Sequence, residues 1–145
     1  MRQRTISREL ALQTLYQLNF QNNLQGFDVD DILMKLGELS KDSLQINTKI
    51  IEYAKELING YFNHQHQIDN IIRQCATNWK FERIALVDRV ILQLATYELV
   101  FRDDIPSAVG MNEAIELAKK YSDINSASFV NGILDKIVSQ NIKSS

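Results

Sequence analysis

Three arginines, Arg2, Arg4 and Arg8, stand in the first eight residues, and no acid precedes Glu9. A guanidinium presents a fork of N–H donors that pairs with phosphate oxygens and a flat face that stacks on unpaired bases. Arg4 and Arg8 are four apart, so on a helix they point along one face and can engage successive phosphates. The chain as a whole is not basic: 16 Lys and Arg against 18 Asp and Glu give a net charge of −2. That balance excludes a strongly basic nucleic-acid coat and leaves room for a local basic patch. A simply solvated face at the chain end is the competing reading of the same three residues.

Other residue types that carry chemistry are few. His64 and His66 are the only histidines. On a helix, residues two apart point about 200° away from each other, so both rings cannot meet one ion and solvated polar residues are expected. Cys75 is the one cysteine, and its apolar helical surroundings predict a buried reduced thiol. No second Cys or His pair offers zinc ligands and no Gly-rich loop follows a strand, so neither a metal nor a nucleotide cofactor is expected. The acidic groups Asp28, Asp30, Asp31 and Asp103-Asp104 fall at expected helix boundaries, where carboxylates satisfy orphan N–H groups. No serine sits in a nucleophile-elbow sequence, so catalysis is not expected.

The elements that must position these residues are helices. Five glycines and one proline in 145 residues compare with about 12% of an average chain, which leaves little length for turns. Ile6, Leu10, Ala11, Leu15 and Leu18 predict an amphipathic helix over roughly residues 4–22. Ile32, Leu33 and Leu36 predict a second, from near Asp30 to Leu39 with Asp28 ready to cap it. Leu44 to Phe62 sustain the helical period through a third, whose end Gly60 weakens, and residues 65–76 form a fourth. Residues 82–100 are apolar almost all round, so that helix must lie between others. Pro106 suits the start of a sixth helix, and Ser122 to Asn125 form the turn before a last helix that contains Phe129, Val130, Ile133 and Leu134. About seven helices without a credible strand predict an all-α compact bundle, one domain spanning residues 1–145. Apolar runs break well short of a membrane span, and the N-terminus lacks a signal core, which predicts a cytoplasmic protein.

Ordered blocks in the C-terminal half give this pattern a family. Trp79-Lys80-Phe81-Glu82-Arg83, Val87-Asp88-Arg89-Val90-Ile91-Leu92 and Ala95-Thr96-Tyr97-Glu98-Leu99 resemble the NusB transcription antitermination family. Ile105-Pro106, Asn112 to Tyr121 and Ser128 to Asp135 follow in the family's order, and Arg8 to Tyr16 resemble its first helix. Residues 24–70 add helical pattern and little family signature.

The resemblance implies a small all-helical RNA-binding factor. Such a factor pairs with the ribosomal protein NusE, binds boxA-type single-stranded RNA in nascent ribosomal RNA leaders, and modifies the elongating RNA polymerase. It further implies an RNA surface at Arg2, Arg4 and Arg8 and at Asn125, Ser128 and Phe129, and a NusE surface at Tyr16, Glu82 and Asp88. An aromatic ring at Phe129 suits stacking on single-stranded RNA, while helical periodicity alone favours the core for it. Asp88 interrupts an apolar helix and needs solvent or a cation, which is either a partner's or that of Arg83 or Arg89. Arg2, Arg4 and Arg8 are fewer than the densest family examples carry, which implies low RNA affinity without NusE. Two other readings compete. A ribosomal RNA cytosine methyltransferase shares this fold in its RNA-binding domain but needs a methyl-donor domain, and a dimerising interaction scaffold would leave its arginines solvated.

Overall fold

Leu10, Ala11, Leu15 and Leu18 recur every three or four residues, and they line the buried side of α1, Gln3–Phe20. The computed structural model describes residues 3–20, 33–35 and 47–141. Within these the protein is all-helical, with no strand; six helices are longer than a turn, and residues 33–35 are a helical piece of the expected second one. The rest of that helix, its Asp28, Asp30 and Asp31, and the positions Leu44 and Ile46 lie outside the described residues. The chain divides into two compact units, Met1–Asn59 and Gly60–Ser145.

In the first unit α1 is less amphipathic than its spacing suggests. Leu12 and Thr14 are buried along with the expected residues, and so are Ser7 and Arg8. Ser7 Oγ donates to the Ile50 carbonyl at 2.8 Å and to the Gln3 carbonyl at 3.1 Å. The first bond ties α1 to α2, Thr48–Asn63, whose start is held by Asn47 Oδ1 accepting from the Ile50 N–H at 3.1 Å. Ile50, Tyr53, Ala54, Leu57 and Ile58 form the buried stripe of α2.

The second unit is built around the apolar helix. α3, Gln65–Cys75, buries Ile68, Ile72 and Cys75. Phe81–Arg83 is a single 3₁₀ turn, Ile84 and Ala85 are extended, and α4 runs from Leu86 to Thr96. The expected helix over 82–100 therefore starts four residues later. Its far end widens into a π-helical turn, Tyr97–Phe101, a form that periodicity does not distinguish from α. Val90 to Leu99 are all buried, as an all-round apolar helix requires. α4 packs against α3 and against α5, Ser107–Tyr121, and α6, Ile124–Gln140; α5 and α6 pack on each other.

Two details correct the sequence reading. Gly60 does more than weaken a helix end: a Cβ there would lie 2.1 Å from Tyr97 Cζ, so the backbone approaches the ring face too closely for any side chain. His64 is not a solvated residue. Half-buried at the N-cap of α3, its ring stacks on Phe101 with centroids 4.1 Å apart and an interplanar angle of 17°, while His66 is exposed. Cys75 is buried as expected, and burial pushes its thiol pKa upward.

Polar groups inside the second unit are tied together. Tyr61 Oη donates to Asp69 at 3.0 Å, and Gln93 Nε2 donates to Tyr61 Oη at 2.8 Å and to Asp69 Oδ1 at 3.1 Å. Burial is the larger influence on Asp69 and lifts its carboxyl pKa, against the opposing pull of the Tyr61 and Gln93 hydrogen bonds. The start of α6 is fixed by Asp123, whose Oδ1 accepts from the Ser126 N–H at 2.8 Å. Asp123→Ala should lower the unfolding free energy by about 1 kcal/mol, the usual cost of losing an N-cap, read as a lower urea midpoint at unchanged slope.

Candidate functional site

The expected RNA residues of the first unit lie at the start of α1. Arg2 lies outside the described residues. Arg4 is exposed, and its guanidinium sits 4.3 Å from the centroid of the buried Tyr53 ring. Arg8 lies 5.8 Å from the same ring and is only 6% exposed. One tyrosine of α2 thus holds two guanidiniums one helical turn apart, by attraction of each cation to the ring face. Arg4 keeps a solvent-facing side there; Arg8 is largely withdrawn. Tyr16, two turns beyond Arg8 on α1, is partly exposed.

In the second unit, Asn125 and Ser128 are exposed on the first turns of α6, and Phe129 is half-buried. The Phe129 and Trp79 rings pack edge to face, with centroids 5.3 Å apart and the planes at 79°. Trp79 is 56% exposed, and its backbone N–H donates to the Ala76 carbonyl at 3.0 Å, which closes the turn that follows α3. Beside the two rings an open pocket of about 210 Å³ is lined by Asn78, Trp79, Ser128, Phe129, Gly132 and Lys136, with Cys75 at its floor. The sequence places Trp79 in the loop between two helices, and nothing in its type or spacing marks the ring as exposed.

Glu82 and Asp88 occupy different settings in this unit. Glu82 is exposed on the 3₁₀ turn, 3.7 Å from the Arg73 guanidinium. Arg73 and Arg89 both lie over the Phe81 ring, at 4.4 and 5.4 Å, and Arg89 also reaches the Phe81 carbonyl at 3.5 Å. Asp88 is not in the middle of a helix: the late start of α4 puts it in the first turn, where a carboxylate faces the positive helix end. It is 6% exposed, and Oδ2 accepts from Ser126 Oγ at 3.1 Å, across 38 residues of chain. Oδ1 has no hydrogen-bond partner among the described residues. The arginine pair that could have absorbed this charge is not formed, since Arg89 is turned to Phe81. Burial lifts the Asp88 pKa, the Ser126 hydroxyl lowers it, and the charge of Asp123 raises it again.

Among the described residues no group of His, Cys, Asp and Glu could hold a metal ion, and no helix is long and apolar enough to cross a membrane. What the geometry offers is an arginine-bearing helix start in one unit, an aromatic pocket in the other, and a buried carboxylate beside the first turns of α4 and α6.

Known proteins resemble this chain over nearly its whole length. The NusB family model matches residues 5–139. The transcription antitermination protein NusB of Geobacter sp. (strain M21) is 44% identical over 139 residues, which cover 96% of each chain. The structure of T. maritima NusB is similar with a TM-score of 0.81 and 36% identity, over 99% of this chain and 94% of that one. A crystal structure of the antitermination factors NusB and NusE in complex with dsRNA is similar with a TM-score of 0.79 and 28% identity, over 97% and 98% of the two chains.

Proposed function

The chain belongs to the NusB family, and from that premise we propose that it is a transcription antitermination factor which binds boxA-type RNA together with NusE. The observation that carries this reading is the likeness, over nearly the whole chain, to a NusB solved with both NusE and RNA. The complex acts in the cytoplasm on the elongating RNA polymerase, and the chain's role is to bind and present RNA rather than to catalyse.

Arg2 and Arg4 neutralise phosphates at the start of α1. Arg8, held over Tyr53 and mostly buried, fixes the direction of Arg4 and stiffens the helix start. Asn125, Ser128 and Phe129 take the base-bearing side of the RNA, the exposed pair by hydrogen bonds and the phenyl ring by stacking. NusE meets Tyr16, Glu82 and Asp88, of which Asp88 is the charge with an unspent acceptor. The chain also associates with a second copy of itself as a homodimer.

The test is titration of a boxA RNA, with and without NusE, against salt. Contact with about three phosphates of single-stranded RNA gives a slope of log K against log salt near −2, at roughly −0.7 per phosphate. Arg4→Ala should weaken binding and make that slope shallower by about 0.7, with helicity unchanged by circular dichroism. Affinity and slope both equal to wild type would remove the start of α1 from the RNA surface.

A further inference from the structure

We propose that Trp79 and Lys136 complete a pocket for one unpaired nucleobase of the bound RNA, with Trp79 as its stacking wall and Lys136 on the adjoining phosphate. This rests on the RNA-binding reading above and names what the pocket beside Phe129 is for.

A large apolar ring in water is costly, and Trp79 is 56% exposed although Phe129, half-buried, stands 5.3 Å from it. The two rings meet edge to face at 79°, both line the pocket, and more than half of the Trp79 surface stays open to an incoming ring. The indole N–H has no hydrogen-bond partner among the described residues, so it too is open to an acceptor. Polar groups that read a base edge are present at the same opening, in Asn78 and Ser128. Lys136 is exposed one helical turn beyond Gly132 on α6, and it is the cation of the pocket.

Gly132 explains why the pocket is open. A Cβ there would meet nothing within 4 Å, so no packing demands a glycine, and α6 presents bare backbone to whatever enters. An opening of about 210 Å³ accommodates a single planar group. Stacking faces, base-edge partners and a lone cation fit a nucleotide from single-stranded RNA better than an apolar side chain of a protein, which would leave Lys136 and Asn78 without a role.

Trp79 is the only tryptophan of the chain, so its emission reports on the pocket directly. Saturating the full chain with a single-stranded boxA RNA should quench that emission. Trp79→Ala should weaken binding by about 5- to 150-fold, the worth of one base stack, without altering the salt slope; Trp79→Phe should recover most of the loss. Lys136→Ala should make the slope shallower by about 0.7. Gly132→Leu places a side chain in the opening while both rings remain in the chain, and should reduce affinity as Trp79→Ala does, at full helicity. An RNA carrying one abasic nucleotide should lose the quenching at a single position. If RNA binds with its Arg4 dependence intact while emission stays constant and Trp79→Ala binds as wild type, no base enters and the proposal is overturned. If no RNA binds at any salt, with or without NusE, the RNA-binding reading fails first and this inference with it.

Discussion

Gly60→Ala should lower the unfolding free energy by about 3 kcal/mol, the upper range for forcing one more methyl into a filled core. The methyl would lie 2.1 to 2.5 Å from three atoms of the Tyr97 ring, and the ring is itself buried, so it cannot swing out to solvent. The stack of Tyr97 on Phe101, with centroids 6.2 Å apart, resists a sideways shift. Gly132→Ala supplies the opposite sign. It introduces the same methyl in mid-helix into open space, and it should stabilise by up to about 1 kcal/mol through helix propensity. Chemical denaturation of both variants separates the two effects, because propensity alone would make them equal. A Gly60→Ala protein as stable as wild type would mean that Tyr97 does not rest on that backbone. Replacing Tyr97 with a smaller apolar residue in the Gly60→Ala background should return part of the loss, the non-additivity expected of two residues in contact.

Gly60 also shows where sequence stops being informative. Helix propensity recognises glycine only as a weak helix former, whereas the demand on Gly60 comes from a ring 37 residues away in the chain. The all-helical class was legible because scarce turn residues and apolar spacing act locally, and α4 stood out because few helices are apolar on every side. Its start was misplaced, since Ile84 and Ala85 are as apolar as the helix itself and nothing in their types marks extended backbone. That shift of four residues changes the meaning of Asp88, from an interruption in a helix to a carboxylate at a helix start. Family resemblance supplied Arg2, Arg4, Arg8, Asn125, Ser128 and Phe129 as RNA residues, but burial distinguishes among those described: Arg4 and Arg8 are equivalent in spacing and unequal in exposure. Phe129 keeps both of its readings, half in the core and half at the pocket, because its neighbour is the exposed Trp79. Trp79 itself was invisible, because exposure of an aromatic is a property of the packed chain and not of residue spacing.

Asp88→Asn should weaken NusE binding by about 2 to 5 kcal/mol, the cost of removing one member of a charge pair held away from water, while leaving the melting temperature unchanged or slightly raised. In the free protein the ionised carboxylate is poorly served. One oxygen accepts from Ser126 Oγ at 3.1 Å, the other has no hydrogen-bond partner among the described residues, and burial has already lifted the pKa. Asparagine keeps the size and the acceptor for Ser126 and removes the charge that burial disfavours, so the fold loses little. The sign of the pH dependence follows from the same shift. With a folded-state pKa raised above the unfolded value, the Asp88 contribution to stability is most favourable below the unfolded pKa and declines as pH rises through the folded one. On the proposal that a NusE cation faces Asp88, binding reverses that preference, because it favours the ionised form and lowers the pKa in the complex. NusE affinity should therefore increase with pH up to the pKa of the free protein and level off above it, and Asp88→Asn should abolish the increase. Calorimetry across that range gives affinity and proton release together. Unchanged NusE affinity with a marked fall in melting temperature would make Asp88 an internal partner of Ser126 and of the α4 N-terminus, and would move the NusE surface toward Tyr16 and Glu82.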